Sequence, residues 1–139
     1  MITSVQDAIA RAAYRAGMII PTLRYQDAMG AIDFLERAFG FERKAVYDDG
    51  GTVHHAELTY GRGMVMLGTA GAGDPQFDTR RSSAYVIVDD PDALHDRAKA
   101  AGAEITRELQ DTDYGSREFS ARDPEGNVWS FGTYDPFAS

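Results

Sequence analysis

His55, Glu57 and Glu118 are the side chains in this sequence with the strongest potential for chemistry. His55 and Glu57 are two residues apart in an alternating apolar stretch, so on a β-strand they point to the same face. An imidazole beside a carboxylate can hold a metal ion, move a proton or bind a polar ligand. The two can equally be a structural pair, completed by Arg24. Glu57 and His55 are therefore the candidate catalytic residues, with these alternatives open.

Other polar residues give weaker signals. Tyr114 and Arg117 lie in a polar loop that we expect at the mouth of a cavity, where they contact a ligand or belong to a solvated turn. His95 stands between charged residues on a predicted helix, and we expect it to be exposed to solvent. The glycine pairs at 61 and 63 and at 71 and 73 lack the residues that complete a phosphate-binding loop.

A repeated pattern of elements must position these side chains. Gly40 and Gly102 each end a predicted helix, 102 − 40 = 62 residues apart, and a strand precedes and three strands follow each helix. The predicted elements are helices over 3–17, 27–39 and 90–101, and strands over 18–25, 41–47, 53–60, 64–69, 83–88, 103–109, 117–122 and 128–134. The last two strands are joined by a tight turn, Asp123-Pro124-Glu125-Gly126.

The repeat predicts an α+β fold made of two β-α-β-β-β modules. Residues 1–17 form an N-terminal helical extension, 18–69 the first module, 70–82 a linker and 83–139 the second module, all in one compact domain. Neither module can bury both faces of its sheet alone. We therefore expect curved mixed sheets around a cavity, with the helices outside.

Strand alternation indicates which side chains face the cavity. The uniformly apolar set, which includes Trp129 and Phe131, should face the helices, and the mixed set should face inward. The predicted ligand-binding residues are Thr22, Arg24, His55, Glu57, Met66, Ser83, Tyr85, Glu118 and Ser130. Apolar, aromatic, hydroxyl and charged side chains together suit an organic ligand. The other interpretation is that these side chains fill a closed interior.

Composition narrows the class of protein. The chain has 139 residues, 43% hydrophobic residues, no cysteine and a formal net charge of −8. The negative charge argues against nucleic acid and anionic membranes as partners. The absence of cysteine excludes a thiolate metal site and a cysteine nucleophile. With no apolar run of about 20 residues and no signal-peptide pattern, we expect a cytoplasmic protein.

At this point the sequence resembles the vicinal oxygen chelate superfamily, which includes glyoxalase I, bleomycin-resistance proteins and extradiol dioxygenases. The segments that carry the resemblance are Leu23–Asp27, Ala31–Leu35, Ala38–Phe41, Ala100–Glu104 and Asp123–Gly126. Within the superfamily, His55–Leu58 and Trp129–Tyr134 are similar to the bleomycin-resistance/PhnB-like branch more than to glyoxalase I.

The resemblance implies a divalent metal held by the first and last strands of each module. Transferred to this sequence, the four positions are Ile20, Met66, Ser83 and Ser130, with spacings of 83 − 20 = 63 and 130 − 66 = 64. Isoleucine has no donor atom, a thioether is too soft for hard divalent ions, and neutral serine hydroxyls are weak ligands. We therefore predict no metal and no cofactor.

Three functions remain. The leading hypothesis is a metal-free protein that binds or sequesters a small organic molecule, a cationic one in view of the acidic charge, and that forms a homodimer. The alternative is a lyase, isomerase or dioxygenase with an atypical metal site or with acid–base chemistry by Glu57 and His55. The third is a dimeric module with a filled cavity and a function on its surface.

Overall fold

The structure, a computed structural model, describes residues 4–6 and 18–138. Most of the helix predicted over 3–17 lies outside the described residues. The strands are β1 Thr22–Tyr25, β2 Glu42–Asp49, β3 Thr52–Tyr60, β4 Gly63–Thr69, β5 Ser83–Ile87, β6 Glu104–Asp111, β7 Arg117–Arg122 and β8 Val128–Gly132. The helices are α1 Ala28–Phe34, extended by a π-helical turn at Leu35–Phe39, and α2 Pro91–Ala100, with a short 3₁₀ turn at Pro75–Phe77 in the linker.

The strands form two four-stranded sheets with the same topology. Their orders are β1-β4-β3-β2 and β5-β8-β7-β6. In each sheet the first and last strands of the module pair in parallel, and the remaining pairs are antiparallel. The prediction of an α+β fold with two β-α-β-β-β modules is therefore confirmed. Gly40 and Gly102 adopt φ values of 87° and 88° after the two helices, as expected for glycine at a helix C-terminus.

Several strand boundaries differ from the sequence prediction, among them those of β1, β2, β6 and β8. The first strand begins at Thr22 rather than Met18, and Pro21, which has no amide hydrogen to donate, stands immediately before it. The helix predicted over 27–39 begins where expected, because the Asp27 carboxylate accepts a hydrogen bond from the Gly30 amide at 3.0 Å. Its last turn is π-helical and closes with a bond from the Phe41 amide to the Leu35 carbonyl at 3.2 Å.

The helix side of the two sheets forms one continuous hydrophobic core. Phe39, at the end of the π-helical turn in the first module, packs on the second module. Its ring centroid lies 6.0 Å from that of Trp129 and 4.9 Å from that of Phe131 on β8. Both β8 side chains are buried, as the alternation predicted. Because each module covers part of the other's sheet, their packing energies are linked.

The β7–β8 turn joins the modules through a buried carboxylate. Asp123 accepts hydrogen bonds from the Tyr25 hydroxyl at 2.7 Å and from the Trp129 indole nitrogen at 3.1 Å. It also accepts from the amides of Glu125 and Asn127 and from the Asn127 side chain. Burial, and then the Asp123 charge, raise the pKa of Tyr25, so its hydroxyl keeps its proton and remains the donor.

A second carboxylate of the same turn reinforces this contact. The two oxygens of Glu125 accept the backbone amides of Gln26 and Asp27 at 2.7 and 2.8 Å. On the helix layer, the Arg97 guanidinium donates to the carbonyls of Glu36 and Arg37, both at 3.0 Å. We call the contact of Tyr25, Gln26 and Asp27 with Asp123 and Glu125 the module junction.

The exposure predicted for His95 is wrong. This side chain is buried, and its ring meets that of Phe119 edge-on at 5.3 Å between centroids. Its Nε2 lies 2.8 Å from a carboxylate oxygen of Glu108 on β6. Pro91, Leu94, His95 and Ala98 form the buried stripe of α2. Helical spacing, and not the charge of the adjacent residues, determines which face of the sheet-facing helix is buried.

The inner face of each sheet, opposite the helices, is open to solvent. Tyr85 and Ile87 on β5 are each 40% exposed, and Tyr47 on β2 is 61% exposed. The sheets are therefore not closed around an interior. Within residues 4–6 and 18–138, the inner faces do not form a filled core.

In the same ranges, neither helix has the length and apolar composition needed to cross a membrane.

Replacement of Trp129 by alanine tests the shared core. We expect Trp129→Ala to lower the free energy of unfolding by about 3–5 kcal/mol, because it leaves a cavity against Phe39 and removes one donor from Asp123. Chemical denaturation followed by circular dichroism measures this change. Phe137→Ala, at a residue that is 90% exposed, is the control and should change it by less than about 0.5 kcal/mol. A loss below about 1 kcal/mol in Trp129→Ala would contradict the packing described above.

Candidate functional site

His55 and Glu57 form a contact pair on the inner face of β3. The His55 Nε2 lies 2.9 Å from one carboxylate oxygen of Glu57, and the Lys44 ammonium lies 3.7 Å from the other. The hydrogen bond from His55, together with the Lys44 charge, lowers the pKa of Glu57. The Tyr47 ring stacks beside His55 at 6.2 Å between centroids. Glu57 is therefore ionised at neutral pH, accepts hydrogen bonds and orients the imidazole.

Arg24 does not complete this pair. Its guanidinium lies 3.6 Å from Asp78 in the linker and 5.7 Å from the centre of the Phe77 ring. The cation beside Glu57 is instead Lys44, from the neighbouring strand β2. The sequence analysis considered a structural group of His55, Glu57 and Arg24. In the structure, Lys44 takes the place of Arg24. The register shift of β2 between Arg43 and Ala45 is a local irregularity that strand alternation could not predict.

Glu118 is the buried carboxylate of the second module's inner face. It is 5% exposed, and one oxygen accepts the Arg107 guanidinium at 2.6 Å. The Tyr114 hydroxyl lies 2.9 Å from both oxygens. Burial raises the pKa of Glu118, but hydrogen bonds from Ser116, Tyr114 and Arg107 outweigh it and lower the pKa overall. The hydrogen bond from the Tyr114 hydroxyl to Glu118 also raises the pKa of Tyr114.

A pocket of about 600 Å³ lies above Glu118, within the size range of sites for small organic ligands. It opens to solvent and combines hydroxyl and aromatic side chains around the carboxylate. Its lining residues are Ser83, Ala84, Tyr85, Tyr114, Glu118, Ser130, Tyr134 and Pro136. Four residues predicted from the sequence, Ser83, Tyr85, Glu118 and Ser130, are thus brought together, and Tyr114 joins them from the polar loop.

The remaining predicted residues lie on the first module and form a separate group. Thr22 on β1 and Met66 on β4 are register partners, and Glu57 on β3 is the next partner of Met66. In one chain this inner face does not line the 600 Å³ pocket. Arg117 also stays outside it, because Asp92 and Asp111 hold its guanidinium.

Two residues of the second module were missed by sequence analysis. Arg107 reaches Glu118 from β6, across an irregular register that alternation does not describe. Tyr134 follows the end of β8, and its carbonyl accepts the Tyr85 hydroxyl at 2.8 Å. The sequence does show an aromatic residue at 134. Because the predicted strand continued through Tyr134, this residue was not considered as part of a separate segment beside the pocket.

A larger crevice, of about 1520 Å³, lies between the modules at the linker. Arg24 and Ser83 lie at its wall, together with Gln26, Asp27, Asp123 and Glu125 of the module junction. Its carboxylates already have partners: Asp78 contacts Arg24, Glu104 contacts Arg122, and Glu125 accepts two backbone amides. Of these contacts, the two hydrogen bonds from the Gln26 and Asp27 amides to Glu125 join one module to the other.

Two open sheets, each with a polar inner face and a helix outside, define a paired-module protein of the vicinal oxygen chelate type. The sequence profile of the Glyoxalase/Bleomycin resistance protein/Dioxygenase superfamily matches residues 16–131, and the chain belongs to this superfamily.

Individual relatives agree with this assignment. TioX from Micromonospora sp. ML1 is 34% identical, with a TM-score of 0.74 over 84% of this chain and 98% of that one. The uncharacterized protein Mb0911c of Mycobacterium bovis is 33% identical over 124 residues, which cover 81% of this chain and 80% of the relative. Lactoylglutathione lyase from Agrobacterium tumefaciens, 22% identical, shares the fold, with a TM-score of 0.67 over 84% of this chain and 92% of that one.

The residues at the expected metal positions do not fit a hard divalent ion. Met66 and Ser130 lie on the last strands of the two modules, and their register partners on the first strands are Thr22 and Tyr85. None of these is a carboxylate or an imidazole, and Ile20 has no donor atom. Among residues 4–6 and 18–138, no three histidine, aspartate or glutamate side chains are grouped to hold a metal.

Elemental analysis tests this donor chemistry. We expect less than about 0.1 zinc, nickel, manganese or iron per chain after incubation with each ion and desalting, because the available donors are neutral or soft. Measurement by mass spectrometry on the untagged protein decides the question. About one retained ion per chain would contradict the assignment, and loss of that ion in Glu118→Gln or His55→Gln would then identify its ligands.

Proposed function

We propose that this protein binds and sequesters a small organic molecule on its inner sheet faces. The observation that carries the proposal is the open pocket of about 600 Å³ around the buried carboxylate of Glu118. Its mixture of aromatic and hydroxyl groups suits an organic ligand more than an inorganic ion. The superfamily to which the chain belongs includes bleomycin-resistance proteins, which supports binding as a function for this fold.

The first module contributes the second wall of the proposed site. His55, Glu57, Thr22 and Met66 present a polar and apolar surface of similar composition, open in one chain. We propose that a second copy of the chain covers these faces, so that the two modules' inner faces enclose one ligand. The exposed apolar side chains Tyr47, Tyr85 and Ile87 support this, because a homodimer would remove them from water.

The acidic balance supports a ligand with a cationic group. The chain has a formal net charge of −8, and such a field raises the rate at which cations encounter the protein. Glu57, whose pKa is lowered by His55 and Lys44, remains ionised at neutral pH and can accept hydrogen bonds from an ammonium or guanidinium group.

An enzyme of the same fold is the second candidate, favoured by the contact of His55 with Glu57. In such an enzyme the imidazole moves the proton and Glu57 orients it, because the lowered pKa makes that carboxylate a weak base. This differs from acid–base chemistry by Glu57 itself, and it gives His55→Gln a specific expected effect on turnover.

Ligand screening by thermal shift tests binding. We expect compounds that raise the melting temperature, since a ligand at 100 times its Kd adds about 2.7 kcal/mol to stability. Glu57→Ala should weaken their binding by calorimetry while it changes the free energy of unfolding by less than about 2 kcal/mol. Asp89→Ala, at an exposed carboxylate in the β5–α2 connection, should leave binding unchanged.

The same experiment separates the two functions. Destabilisation by Glu57→Ala without an effect on binding would mean that the pair is structural. A ligand that mass spectrometry recovers chemically changed after incubation with the wild type, and unchanged after incubation with His55→Gln, would favour the enzyme.

Light scattering after size exclusion tests the dimer. We expect a mass of about twice the chain's 15.2 kDa. Ile87→Asp on the inner face of β5 should shift the protein toward the monomer, because it places a charge in the proposed interface. The control Phe77→Asp, at an exposed linker residue, should not. A monomeric wild type at micromolar concentration would contradict the proposal.

A further inference from the structure

We propose that the ligand presents a flat aromatic ring system, which stacks on three tyrosines of the second module. This inference rests on the proposed binding function and adds the chemical class of the ligand. Tyr85, Tyr114 and Tyr134 all line the 600 Å³ pocket, and we call them the tyrosine platform. They come from β5, from the loop before β7 and from the segment after β8, so the fold brings together rings that are far apart in sequence.

The rings of the platform are held in place before any ligand arrives. Tyr114 and Tyr134 meet edge-to-face, with centroids 5.7 Å apart and planes at 82°. The Tyr85 hydroxyl donates to the Tyr134 carbonyl at 2.8 Å, which fixes the third ring to the same segment. A preorganised surface loses little conformational entropy on binding, and so more of the contact energy remains as affinity.

The platform offers its ring surfaces more than its hydroxyl groups. The hydroxyls of Tyr85 and Tyr114 are already engaged, with the Tyr134 carbonyl and the Glu118 carboxylate respectively. Yet Tyr85, Tyr114 and Tyr134 are 40%, 58% and 48% exposed. With two of the three hydroxyls engaged, the platform has mainly aromatic surface to offer a ligand. Offset stacking and edge-to-face contact are the geometries that such surfaces favour, and they select planar unsaturated partners.

The charge below the platform favours stacking over simple ion pairing. Glu118 is ionised, but the Arg107 guanidinium lies 2.6 Å from its carboxylate and compensates the charge. This end of the site is thus close to neutral, and the cationic group expected for the ligand belongs at the other wall, beside Glu57. The hydroxyls of Ser83 and Ser130, which line the pocket, can bond polar substituents at the edge of a ring.

A matched pair of neutral probes tests the class of ligand on the full chain. Naphthalene-2-carboxamide is flat, whereas decahydronaphthalene-2-carboxamide carries the same amide on a saturated, puckered frame. We expect calorimetry to give about tenfold tighter binding for the flat probe, with shifts of the tyrosine ring signals in NMR spectra.

Substitutions locate the effect on the platform. Tyr134→Leu should weaken binding of the flat probe by about tenfold and abolish its advantage over the saturated one. Tyr134→Phe keeps the ring and should restore the affinity, which separates stacking from general damage to the fold. Phe77→Leu removes an exposed aromatic ring outside this pocket and should leave both affinities unchanged.

Each other outcome overturns the inference. Equal affinity for the two probes would show that apolar area alone is recognised, and tighter binding of trimethylcyclohexylammonium than of the flat probe would show recognition of a cation by the rings. Failure of both carboxamides to bind would reject the platform as an aromatic site. The proposed function would stand in that case if screening still gave ligands that are recovered unchanged, and it would fall if screening gave none.

Discussion

The buried Asp123 carboxylate is the contact on which the arrangement of the two modules depends. A charge at this depth is tolerable only if donors surround it, and five donors do so, from the Tyr25 hydroxyl, the Trp129 indole, the amides of Glu125 and Asn127 and the Asn127 side chain. One donor comes from the first module and the rest from the second. Asp123 therefore stabilises its own turn through the Glu125 and Asn127 amides. It also orients the Trp129 indole and, through the Tyr25 hydroxyl, attaches β1 to the second module.

The repeat conserves geometry between the modules but not chemistry. In each sheet the third and fourth strands of the module pair in the same register, so that Glu57 lies opposite Met66 and Ser120 lies opposite Ser130. One module thus places an ionised carboxylate at a position where the other places a hydroxyl. The buried carboxylate of the second module is instead Glu118, opposite Gly132. The two inner faces therefore present different chemical groups at equivalent positions.

Most of the fold could be predicted from local pattern, and the contacts that assemble the site could not. Alternation in β7 and β8 separated Trp129 and Phe131 from Glu118 and Ser130 correctly, because strand periodicity is a local property. The partnership of Arg107 with Glu118, and that of Tyr25 with Asp123, depends on tertiary register and on a separation of 98 residues in the second case. His95 was misjudged because adjacent charges were weighed above helical spacing.

The π-helical turn that ends α1 has a consequence for how this duplicated unit can change during evolution. It delivers Phe39 onto the sheet of the other module, where the ring contacts Trp129 and Phe131. The two copies have thereby lost their independence: a mutation near residue 39 is selected partly for its fit to β8. The inner faces of the modules have diverged in chemistry, but a change in the size of Phe39, Trp129 or Phe131 requires a compensating change in the other module.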